Sequence, residues 1–101
     1  MYGKIVKEFI NNPRDIHTIP IHSKTYRWFY VFVNDGNIYV EPGHNNSPKC
    51  TVKKRLLPKK ECNEILRIYH RRMHGEQVSK EAQNCTHSQV YWYGIFSAMN
   101  L

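Results

Sequence analysis

Acidic residues are scarce in this chain. Eight Asp and Glu stand against 15 Lys and Arg among 101 residues, a formal charge of +7 with histidine neutral. That surplus sets a positive potential over much of a small surface and favours anionic partners, either nucleic acid or an acidic or nucleic-acid-bearing protein. Nowhere do about 18 apolar residues run together, as a membrane-spanning helix needs. Met1 to Ile10 lack the long apolar stretch of a signal peptide, so the sequence predicts an intracellular, cytoplasmic protein. The cysteines, Cys50, Cys62 and Cys85, are odd in number and widely spaced, which fits reduced thiols or metal ligands better than a disulfide framework. Also missing are a glycine-rich phosphate loop and a serine in a nucleophile context. The acidic ligands that hold magnesium are few, Asp15, Asp35 and scattered Glu. The expectation is a protein without enzymatic activity, with a metal-dependent nuclease as the minority reading.

Core-forming residues, by contrast, are plentiful. An apolar share of 41 % and an aromatic share of 13 % exclude a disordered chain, and the length suits one domain over residues 1–101. Ile5, Val6, Phe9 and Ile10 recur at helical spacing until Asn11-Asn12-Pro13, which predicts an amphipathic helix capping one side of a sheet. A short extended piece is expected at Thr18 to Ile21. Tyr26 to Val33 then reads as a strand buried on both faces, because aromatic and β-branched residues fill every position. Asn34-Asp35-Gly36-Asn37 marks a hairpin, with Ile38 to Glu41 as the return strand. Pro42 to Lys49 is a loop of turn formers, and Cys50 to Leu56 a third strand with partial alternation. After Pro58 the stripe Cys62, Ile65, Leu66, Tyr69 and Met73 defines a helix that Gly75 ends. A second short helix follows from Lys80 to about Asn84, capped by Ser79. The apolar tail, Val90 to Met99, is read as a buried helix. The fold class is α+β: an N-terminal helix, a small antiparallel sheet of about three strands, then two or three C-terminal helices.

Six histidines and three cysteines raise the prospect of zinc. His70 and His74 lie one turn apart on the predicted helix, where two rings reach one ion together. An antiparallel helix running back along the third strand would pass Cys50 near this pair, and the next helix would return Cys85 and His87 toward it. The candidate structural set is therefore Cys50, His70, His74, Cys85 and His87, with His44 in reserve. The segment from Ile65 to Gln89 resembles a helix-turn-helix, in which a second helix enters the major groove. Lys80 and Gln83 are its only evident base readers. A basic series, Lys49, Lys53, Lys54, Arg55, Lys59, Lys60, Arg67, Arg71 and Arg72, is placed to follow a phosphate backbone or to form a solvated face. The rings of the Tyr26 to Val33 strand suggest a stacking platform for single strands, but Phe29, Tyr30, Val31 and Phe32 are expected to form core.

A short, basic chain with Cys50, His70, His74 and Cys85 as a metal set and a basic helix resembles, in type, the small phage-encoded anti-defence proteins. Among these are anti-CRISPR inhibitors of type II effector nucleases. Many of these are acidic mimics of DNA, and this chain departs from them by being basic. The resemblance implies an inhibitor in the host cytoplasm that contacts acidic protein surface or bound nucleic acid. The functional expectation is a non-enzymatic binding protein acting on a nucleic-acid-processing partner, with zinc stabilising a small fold. The alternative is a DNA-binding protein using the helix-turn-helix-like C-terminal half.

Overall fold

The structure is a computed structural model and describes residues 1–20 and 25–101. The first helix, α1 (Tyr2–Asn11), buries Tyr2, Ile5 and Phe9 on one stripe. Four strands follow: β1 (Arg14–His17), β2 (Trp28–Asn34), β3 (Asn37–Pro42) and β4 (Arg55–Leu57), in the order β1-β2-β3-β4 with every neighbour antiparallel. A 3-10 turn over Lys59–Glu61 leads into α2 (Cys62–Met73), then α3 (Ser79–Cys85) and α4 (Gln89–Ala98). This is the α+β arrangement expected, with one more strand.

The added strand is β1. Its Ile16 sits opposite Phe29 and its Arg14 opposite Val31, and the pairing continues past its end, where the Thr18 amide donates to the Arg27 carbonyl. The extended segment thus lies earlier in the chain than Thr18 to Ile21, and Ile21 is outside the described residues. The third strand is also shorter than expected. Only Arg55–Leu57 pairs with β3, while Lys49 forms a single parallel bridge with Trp28. The hairpin between β2 and β3 turns through Asp35 and Gly36, both at positive φ (53° and 77°), the geometry of a type I′ turn whose twist matches that of the strands.

The helices pack on the sheet face that carries Phe29, Val31, Ile38 and Val40, all fully buried. α1 lies on β2 and β3, α4 on β1, and α2 on α4. Tyr2 ties α1 to the sheet, its hydroxyl donating to the Leu57 carbonyl (2.7 Å) and accepting from the Ile38 amide (2.9 Å). On α2 the core stripe is Cys62, Ile65, Ile68 and Tyr69, whereas Met73, expected on it, is exposed. α4 buries Trp92 through Phe96 on all sides, as an all-apolar helix between two layers must. Glu61 Oε1 accepts hydrogen bonds from Thr86 Oγ1 (2.6 Å) and Trp92 Nε1 (3.2 Å), joining the 3-10 turn to the α3–α4 junction.

Candidate binding face of the sheet

Directly paired residues of antiparallel strands point to the same face, so the register defines what lies opposite the helices. One row is His17 beside Trp28, the next Asp15, Tyr30 and Glu41, and the third Phe32, Tyr39 and Leu56. The strand predicted to be buried on both faces is therefore buried on one. Phe29 and Val31 enter the core, while Trp28, Tyr30 and Phe32 lie half-buried on the other side. Leu56 at the edge of this face is 42 % exposed and Tyr26 at its other end 43 %.

The loop after β3 folds across part of this face and is held there by Asp15. The carboxylate accepts from the backbone amides of His44 (2.8 Å), Asn45 (2.8 Å) and Asn46 (3.0 Å), and from Asn46 Nδ2 (3.0 Å). Burial alone would raise the Asp15 pKa, but these hydrogen bonds together outweigh it and hold the carboxyl below its ordinary range. The loop returns to β2 through Trp28, whose amide donates to the Pro48 carbonyl and whose carbonyl accepts from Gly43 and Cys50. Gly43 is required there, since a Cβ would stand 2.9 Å from Trp28 Cβ.

Within this frame the rings are ordered. His44 lies flat on Tyr30, centroids 3.5 Å apart and planes 5° from parallel, and its Nε2 pairs with Glu41. Phe32 and Tyr39 lie nearly parallel at 5.6 Å, and Lys54 Nζ stands over both, 5.8 Å and 5.2 Å from their centroids. His17, Tyr26 and Trp28 form a second cluster with centroids 4.4 to 5.9 Å apart. The two carboxylates of the face, Asp15 and Glu41, are both engaged internally. What the face offers outward is aromatic surface and a lysine ammonium.

The residues predicted as zinc ligands are distributed over the molecule. His70 and His74 are exposed at the C-terminal end of α2, and His74 Nδ1 donates to the His70 carbonyl, which removes that nitrogen as a ligand. Cys85 lies instead at the other end of α2, beside Glu61 and Glu64, about 15 Å along the helix from His74 at 1.5 Å per residue. Its thiol pKa is pushed up by burial and then by those two carboxylates. Cys50 is buried next to β2, and burial pushes its thiol up despite Arg27 nearby. His87 is exposed, its carbonyl accepting from Arg55. Among the described residues no group of three or more His, Cys, Asp or Glu stands close enough to hold an ion. The reserve ligand, His44, is instead the ring stacked on Tyr30.

The basic series divides by residue type. Arg67 pairs with Glu64, Arg71 with Glu76 and Glu81, Arg72 donates to the Ile19 carbonyl, and Arg55 donates to the His87 carbonyl and Ser88 Oγ. Among the described residues Lys49, Lys53, Lys59, Lys60 and Lys80 make no ion pair. The helix-turn-helix-like segment does form two helices about Gly75, at φ 91°, but α3 has seven residues and its Glu81 is locked to Arg71. A cleft of about 750 Å³ opens between Thr18–Pro20, the turn after α2 and α4, with Arg72, Val78, Tyr91 and Tyr93 in its wall.

Tyr30, Phe32, Tyr39, Asp15 and His44 were not singled out by sequence as one site. A signal for them exists in β3, where Tyr39 and Glu41 alternate with Ile38 and Val40. Carried across the two-residue turn, that alternation puts Phe32 and Tyr30 on the polar side. No protein-family model, curated protein or solved structure matches the chain. No helix among the described residues is long and apolar enough to cross a membrane.

Proposed function

We propose that the chain is a non-enzymatic binding protein that acts on a nucleic-acid-processing partner and meets its bound nucleic acid through the open face of the sheet. The observation that carries this reading is the combination on one face of half-buried aromatic rings, internally engaged carboxylates and an unpaired lysine. An ammonium over a ring at an exposed site contributes roughly 0.5–1 kcal/mol, whereas a base stacked on a ring contributes about 1–3 kcal/mol. A base thus outcompetes Lys54 for the rings and frees its ammonium for a phosphate. An inhibitor of a nucleic-acid-bound effector nuclease, the type this sequence resembles, would use such a surface against the bound strand. Groove reading by α3 has less support, since a helix of seven residues with its central carboxylate tied back to α2 offers few base contacts.

Fluorescence anisotropy with labelled single- and double-stranded oligonucleotides at low salt tests the reading, together with size-exclusion chromatography against a guide-loaded type II effector nuclease. Saturable binding to nucleic acid or to the loaded effector is the expected result. Failure to bind either at low salt would remove it.

A further inference from the structure

We infer that the open face is a seat for single-stranded nucleic acid, in which Phe32 and Tyr39 stack successive bases and Lys54 takes the adjoining phosphate. This rests on the binding reading above and narrows it to a strand with unpaired bases.

The two rings lie offset and nearly parallel across the β2–β3 pair, centroids 5.6 Å and planes 17° apart, so the two outer faces of the pair are parallel and each can take a base. A base in a duplex has its faces covered by its neighbours, so only a strand with splayed bases can lie on such a surface. The position next to it is already filled in the manner proposed. His44, a flat heteroaromatic ring, is stacked on Tyr30 with planes 5° from parallel, which shows that an aromatic side chain of this face accepts a second ring lying flat on it. Charge selects the same occupant. The carboxylates that would repel a phosphate, Asp15 and Glu41, are tied to the loop and to His44, while Lys54 stands directly above the rings on a flexible stem. Lys53 precedes it in exposed chain. An acidic protein segment would be drawn by the lysines but has no need of the parallel rings.

The test is anisotropy of fluorescein-labelled oligothymidylate, alone and annealed to its complement, against the parent protein and the variants Phe32→Ala, Phe32→Leu, Phe32→Tyr and Tyr39→Ala. Circular dichroism and melting accompany each variant. Expected are at least ten-fold tighter binding of the single strand than of the duplex and a loss of about ten-fold or more in Phe32→Ala and Tyr39→Ala. Phe32→Leu keeps apolar bulk and removes the π face, so it should lose affinity with the fold intact, while Phe32→Tyr retains binding. Equal binding of duplex and single strand, or ring variants that bind like the parent, overturns the seat and leaves the broader binding reading standing. Sedimentation that shows this face closed by a second copy also overturns it. Absence of binding to either form, and to the loaded effector, removes the broader reading itself.

Discussion

Asp15 accepts four hydrogen bonds from His44, Asn45 and Asn46, and through them one carboxylate decides where the loop after β3 lies and whether His44 reaches Tyr30. Removing it leaves three backbone amides without their acceptor. Asp15→Ala should lower stability by about 1–3 kcal/mol, read from urea unfolding at neutral pH. The sign of the pH dependence follows from the depressed pKa. The stabilisation is present above the ordinary value of 3.8 and is lost as pH falls through the lower folded value. The parent should therefore lose stability on acidification in part through this group, and Asp15→Ala should show a shallower acid decline. An equal acid decline in both proteins would mean that the loop draws nothing from the charge. The residue itself sits in a strand with only one apolar side chain, so nothing in the local pattern announces its role. Its importance comes from a partner 29 to 31 positions away.

At the scale of elements, what could be read beforehand was what local sequence encodes. The hairpin was legible because Asp35-Gly36 satisfies a turn that demands positive φ, and α1 and α2 because their apolar residues recur at helical spacing. β1 was not, because Arg14-Asp15-Ile16-His17 is short and polar and becomes a strand only by pairing with β2. The open face is hidden in the sequence for a related reason. When both faces of a strand carry large apolar rings, the period of two disappears, and burial on both sides looks the same as an aromatic surface left uncovered. The zinc set depended on where α2 and α3 stand relative to β4, and that placement is set by tertiary packing. One close approach fixes α4 against the sheet. A Cβ at Gly94 would stand 2.8 Å from the His17 carbonyl oxygen and 2.9 Å from Phe29 Cζ. Alanine gains roughly 1 kcal/mol of helix propensity over glycine, but overpacking a rigid contact costs about 1–3 kcal/mol. Because the clash involves backbone as well as a fully buried ring, Gly94→Ala should destabilise, with a lower melting temperature. A rise in melting temperature would show that α4 can lift from the sheet at little cost.

Over the whole molecule, the positive charge is divided between two kinds of residue. Of the eight carboxylates, Glu8, Glu64, Glu76 and Glu81 are ion-paired, while Asp15, Glu41 and Glu61 accept other hydrogen bonds. These pairs use Arg14, Arg67 and Arg71, so among the described residues these arginines serve the fold and the lysines supply the net field. For a single strand, each phosphate contact contributes a slope of about −0.7 to log K against log salt. Lys53→Gln and Lys54→Gln should each flatten that slope by roughly one contact's worth while leaving melting nearly unchanged. Arg67→Gln, which removes a cation already paired with Glu64, should leave the slope alone, although it removes the same formal charge. If all three substitutions flatten the slope equally, binding responds to net charge and not to position, and the lysines beside the rings hold no special place in it. If only the lysines do, the strand passes where Lys54 overlooks Phe32 and Tyr39.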